Sequence, residues 1–106
     1  METNKRLMNL LGIARRAGRL ELGSVAAKDA VRKRRAKLLL LSSDLSERTA
    51  EGMRGEAERA GVRAVALSAG MDEVEFALGR RTGIIAVSDE GFAKALLKLS
   101  AENEED

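Results

Sequence analysis

The sequence predicts an α/β layered sandwich with a partly parallel sheet. Helical and extended hydrophobic patterns alternate along the whole chain, as they do when helices cover a sheet. The chain has 106 residues, 44% of them hydrophobic. A domain of that size hides roughly two-thirds of its unfolded surface, enough for one modest core without disulfides. No repeat, linker or second domain is visible, so residues 1–100 read as one domain.

The elements follow in order. Leu7, Leu10, Leu11, Ala14 and Ala17 keep the i, i+3, i+4, i+7 spacing of an amphipathic helix, and Gly18 ends it. Arg19–Leu22 is a short strand. Gly23 or Ser24 caps a second helix that runs to about Arg34, with Ala27, Ala30 and Val31 inward. Lys37–Leu41 has four consecutive leucines and reads as a buried strand; a helix of the same composition is the competing reading. The segment Ser42-Ser43-Asp44-Leu45-Ser46 offers several caps for a third helix, whose inner face is Ala50, Met53, Ala57 and Ala60 and whose stop is Gly61. Gly52 and Gly55 lie inside it, each costing about 1 kcal/mol relative to Ala, and their small size is expected to allow close packing on a sheet. Val62–Leu67 is a third major strand. Met71–Leu78 is a short helix closed by Gly79, and Gly83–Val87 is the last strand. Ser88 or Asp89 caps a final helix with Phe92, Ala93, Leu96 and Leu99 inward. The tail 101–106 has four acidic residues in six and is expected to fray. There is no proline, so turns depend on Gly, Ser and Asp.

Composition narrows the chemistry. The chain has no Cys and no His, which removes cysteine nucleophiles, thiolate or imidazole zinc sites, and imidazole acid–base catalysis. No phosphate-binding loop ending in Gly-Lys-Ser/Thr, no Gly-x-Gly-x-x-Gly and no Gly-x-Ser-x-Gly occurs. No metal or cofactor is expected. Met1–Arg6 is polar and the apolar runs fall far short of the ~20 residues of a membrane span, so no cleavable signal and no membrane partner are expected, and the expected location is the cytoplasm.

The net charge is only +2, but residues 1–40 carry 11 Lys and Arg against 3 Asp and Glu, a net +8, while residues 41–106 carry 8 against 14, a net −6. A basic half suits a polyanion such as nucleic acid. Aromatic content is 2%, and single-strand binders stack bases on exposed aromatics. Any RNA bound is therefore expected to be structured.

Three places could contact it. Gly23-Ser24 leads from a strand into a helix, whose first N–H groups can hold phosphate or base acceptors; an ordinary strand–helix turn has the same residues. Arg32-Lys33-Arg34-Arg35 with Lys37 is a dense basic run that a polyanion would relieve; it also suits a solvated helix end. Arg80-Arg81-Thr82-Gly83 offers guanidinium forks for phosphate oxygens, or is a polar surface loop. Arg15, Arg16 and Arg19 form a further basic group with the same two readings.

The order of elements resembles the kink-turn-binding ribosomal protein superfamily, which includes the large-subunit proteins seven-Ae and thirty-e, and within it the bacterial YlxQ-like branch. The segments that carry the resemblance are Leu7-Met-Asn-Leu-Leu-Gly-Ile-Ala-Arg-Arg-Ala-Gly18, then Leu22-Gly23, Ala36-Lys37-Leu38-Leu39-Leu40 and Ala86-Val87-Ser88-Asp89-Glu90-Gly91-Phe92-Ala93. It implies a three-layer α–β–α sandwich with a mixed sheet of about four strands, and RNA bound by the turn opening the second helix, helped by the loop before the last strand. Carried over, these are Gly23, Ser24 and Arg80–Gly83. The strong kink-turn binders have an Asn-Glu pair and a following lysine where this chain has Val25, Ala26 and Asp29, and their longer loop has apolar residues where this one has Arg-Arg-Thr.

The resulting expectation is a non-catalytic binder of structured RNA, ribosomal or ribosome-associated, with the ribosome or assembly factors as further partners. The candidate contacts are Gly23, Ser24, Lys28, Arg32, Lys37, Arg80, Arg81 and Thr82. The rival readings are a protein-interaction module that has lost kink-turn binding, and an isolated counterpart of the RNA-binding domain of some RNA methyltransferases.

Overall fold

The computed structural model describes residues 2–105, with side chains described over 4–101. Over the described residues five helices and four strands alternate: α1 (Glu2–Arg16), β1 (Leu20–Leu22), α2 (Ser24–Arg32), β2 (Leu38–Leu41), α3 (Glu47–Ala60), β3 (Ala64–Ala66), α4 (Met71–Leu78), β4 (Ile84–Val87) and α5 (Glu90–Glu105). The strands form one mixed sheet in the order β1-β4-β2-β3. β4 runs antiparallel to both β1 and β2, and β2 runs parallel to β3. The expected frayed tail falls almost wholly outside the residues whose side chains are described.

The four leucines of β2 are all buried because the strand is central and both its faces are covered. Successive side chains of a strand point to opposite faces. Leu38 and Leu40, with Ile85 and Val87 of β4, meet Leu7, Leu11, Val74, Leu78 and Leu96 from α1, α4 and α5. Leu39 and Leu41, with Ile84 and Ala86, meet Ala27, Val31, Met53 and Ala57 from α2 and α3. These two cores, one on each side of the sheet, make the α–β–α sandwich. Among the described residues no helix is long and apolar enough to cross a membrane.

Three local expectations are corrected. α2 ends at Arg32, two residues early, because Arg34 takes a left-handed conformation (φ 62°) that turns the chain toward β2. The third strand spans only Ala64–Ala66 and lies at the sheet edge. Gly52 does not mediate close packing on the sheet: it is exposed, and a Cβ there would meet nothing within 4 Å. The caps also divide more finely than expected. Ser46 caps α3 through the Thr49 N–H (3.2 Å). Asp44 instead caps α4, accepting the Met71 N–H (3.1 Å) while Ser42 Oγ donates to it (2.9 Å), and these bonds hold its carboxyl below the usual range. Asp89 accepts the Phe92 N–H (2.9 Å) at the start of α5.

Candidate nucleic-acid interface

Strand direction decides which candidate residues meet. Leu22 pairs with Ile85 and Leu41 with Ile84, so the ends of β1 and β2 and the start of β4 share one edge. The turn at Gly23 and the loop Gly79–Gly83 both lie there. The Gly23 N–H donates to Ile84 O (2.9 Å), carrying the β1–β4 ladder one residue into the turn.

Gly23 has φ 92° and ψ 164°, a combination essentially confined to glycine. It serves as the N-cap of α2, and no side chain caps that helix start. The leading N–H groups are thus left for an external acceptor, reinforced by the positive end of the helix dipole. Ser24 and Val25 are exposed beside them, Val25 at 84%.

The second loop is pinned against the same edge. The Ser42 N–H donates to Gly83 O (2.8 Å). A Cβ on Gly83 would lie 2.5 Å from Ser42 Oγ and 2.7 Å from Leu45 Cδ2, so only glycine fits. This anchoring carries Arg80 over the helix start: its Nη2 lies 3.1 Å from where a Gly23 Cβ would stand. Arg80 is exposed, and among the described residues it has no ion-pair partner. A bare helix N-terminus and a guanidinium therefore face the same small volume, an arrangement fitted to a phosphate oxygen.

The other candidates are placed differently. Arg81 hydrogen-bonds Asp72 and lies 3.7 Å from Glu75, both on α4. Thr82 is only 8% exposed, and its hydroxyl accepts the Ile84 N–H (3.2 Å); it shapes the loop rather than facing outward. Arg32, at the far end of α2, binds both carboxylate oxygens of Glu56 on α3 (2.9 and 2.6 Å) and draws that carboxyl down to about 2. Lys28 lies on the α3-facing flank, adding its charge to the same field. Lys37 precedes β2 and its N–H reaches Val87 O (2.7 Å), at the opposite edge of the sheet from Gly23. Of the eight candidates, Gly23, Ser24 and Arg80 are thus brought together outward-facing; Arg32 and Lys37 are not with them.

The basic run is largely neutralised from within. Arg32 pairs with Glu56, Lys33 with Asp29 (3.2 Å), and Arg35 with Glu21 (2.9 Å) and Asp29 (3.0 Å). Asp29 is held below its usual range chiefly by Arg35, then Lys33. Asp29 is thus not a bare negative charge near the turn. The i,i+4 spacing of Asp29 and Lys33 is legible in the sequence, whereas Arg35 lies past the end of α2 and is brought back by the left-handed turn at Arg34. Among the described residues no group of three or more Asp or Glu side chains gathers to hold a metal ion.

No family model matches the chain. A protein named RNA-binding protein YlxQ from Enterococcus faecium is 28% identical over 95 residues, covering 90% of this chain and 91% of that one. A solved structure of a protein with unknown function from Bacillus halodurans superposes with a TM-score of 0.85 at 26% identity, over 90% of this chain and 96% of the other. The 15.5kD RNA binding protein of Giardia lamblia superposes with a TM-score of 0.73 at 15% identity, over 99% and 90% of the two chains; that likeness is one of fold.

Proposed function

The resemblance to the YlxQ-like branch of the kink-turn-binding ribosomal protein superfamily holds in sequence and fold, and on that premise we propose that this chain is a non-catalytic cytoplasmic binder of structured RNA, ribosomal or ribosome-associated. The observation that carries the reading is Arg80 poised over the uncapped start of α2 at Gly23. The backbone N–H groups of the turn and the Arg80 guanidinium hold the RNA backbone, fixing position without reading bases.

A structured target is favoured over a single strand because stacking aromatics are missing from this edge. Phe92 packs against the core and Phe76 lies on α4. High affinity for a standard kink-turn is not part of the proposal. Val25 and Ala26 present no hydrogen-bonding side chains where the strong binders present Asn and Glu.

The test is titration of a duplex RNA and of a kink-turn RNA at several salt concentrations. Counterion release predicts that the logarithm of affinity falls with the logarithm of salt by about 0.9 for each phosphate held. A flat response, or no binding at low salt, would overturn the RNA reading in favour of a protein partner.

A further inference from the structure

Two large apolar side chains lie exposed, away from the interface described above. Phe76 on α4 is 94% exposed and Ile13 on α1 is 48% exposed. Both line one groove of about 1050 Å³ between these helices. Contiguous exposed apolar surface marks an interaction site. Gly12, buried on the floor of the groove, is where α1 and α4 come closest: a Cβ there would lie 3.4 Å from Ala77 O, with Arg16 Nη1 at 3.5 Å.

The rims differ in charge. The α1 rim carries Lys5 and Arg16, and the α4 rim carries Asp72 and Glu73. Asp72 is held by Arg81, which leaves Glu73 as the unneutralised carboxylate of that rim. The helices run parallel: Asn4 Nδ2 donates to Glu73 (2.9 Å) toward one end, and Arg15 donates to Leu78 O toward the other. Lys5 and Glu73 therefore stand at the same end of the groove on opposite rims. A two-fold axis along the groove would set each rim against the opposite rim of a second copy at the same height. Lys5 would then face the partner's Glu73. Phe76 would lie against the partner's Ile13, with the partner's Arg16 near its ring. A surface complementary to itself under a two-fold is the requirement of an isologous dimer.

We propose that the α1–α4 groove is the face of a homodimer, each Phe76 set against the partner's Ile13. Its helices have 15 and 8 residues. That is a small face beside the about 800 Å² per partner of typical stable complexes, so pairing is concentration-dependent.

Sedimentation of the RNA-free chain over rising concentration tests this. Wild type shifts from monomer to dimer, and Phe76→Glu stays monomeric with an unchanged unfolding midpoint, since the side chain is already in water. Lys5→Glu loses about tenfold in self-association, the scale of one unfavourable charge contact, and adding Glu73→Lys restores it. A monomer at every concentration would overturn the proposal. So would a dimer indifferent to Phe76→Glu or unrescued by the charge exchange. Loss of RNA affinity in a monomeric Phe76→Glu would assign the groove to RNA and equally refute it.

Discussion

Replacing Gly23 with alanine separates the turn's conformation from the charge above it. At φ 92° and ψ 164°, an L-residue is strained by about 1–3 kcal/mol. The new Cβ would also come within 3.1 Å of Arg80 Nη2. That atom ends a flexible exposed side chain, so it yields at little cost and the stability loss comes almost wholly from the backbone. Domains hold about 5–15 kcal/mol of stability, so Gly23→Ala should remain folded, with a lower denaturant midpoint and an unchanged slope. RNA affinity should fall as well, because Arg80 is pushed off the helix start and a methyl group occupies the approach to the N–H groups. Arg80→Ala should leave the denaturant midpoint in place and lower affinity alone. The double variant then completes a cycle. If both residues serve one phosphate, Gly23→Ala should weaken binding less when Arg80 is already gone. Additive affinity losses, or a Gly23→Ala chain with wild-type affinity, would refute the shared site. A wild-type denaturant midpoint would refute the strain argument.

Arg80→Ala should reduce the salt slope of RNA binding by about 0.9, one phosphate contact, whereas Arg81→Ala should leave it unchanged, because Arg81 is occupied by Asp72 and Glu75; equal effects of the two would contradict their different pairing. Arg32 draws the Glu56 carboxyl from an ordinary 4.5 to about 2. A carboxyl with a lowered folded pKa contributes stability that is complete above the unfolded value and lost as pH falls through the folded one. Glu56→Gln should accordingly lessen the pH dependence of unfolding between about 4.5 and 2, and an unaltered acid profile would show the pair to be idle. Val25→Asn with Ala26→Glu and Asp29→Lys should raise affinity for a kink-turn over an unkinked duplex, by about tenfold for each 1.4 kcal/mol gained. Side-by-side titrations check this, and no gain would remove the α2 start from the RNA-binding surface.

The fold was legible because each layer leaves a period in the chain. Leu38–Leu41 carries no alternation since both faces of β2 are buried, while Leu7, Leu11 and Ala14 keep helical spacing because only one face of α1 is. Element ends were less legible. The stop of α2 depends on Arg34 entering a left-handed conformation without being glycine, for which its residue type gives no signal. In the candidate site, Gly23 and the arginine loop could be read locally. The difference between Arg80 and Arg81 could not, because it depends on where α4 places Asp72. Lys37 was grouped with the basic run by sequence proximity, but strand direction sends it to the other sheet edge. Arg32 was drawn off by Glu56, 24 residues away. Phe76 had a usable signal: it lies two residues from both Val74 and Leu78, the buried positions of α4, and two residues is about 200° around a helix.

The strand order β1-β4-β2-β3 has a consequence for how the chain matures. β1 and β2 do not touch; β4, the last strand to be made, lies between them and hydrogen-bonds to both. A growing chain that has reached only the end of α4 has its first two strands without the neighbour that joins them, and unpaired strand edges invite misassociation. Arrival of Ile84–Val87 closes the sheet and, in the same step, pins Gly83 to Ser42 and brings Arg80 to Gly23. The edge that carries Gly23 and Arg80 is therefore complete only once β4 has been made. On the proposed function, a fragment lacking β4 should be both aggregation-prone and unable to compete with the finished protein for RNA.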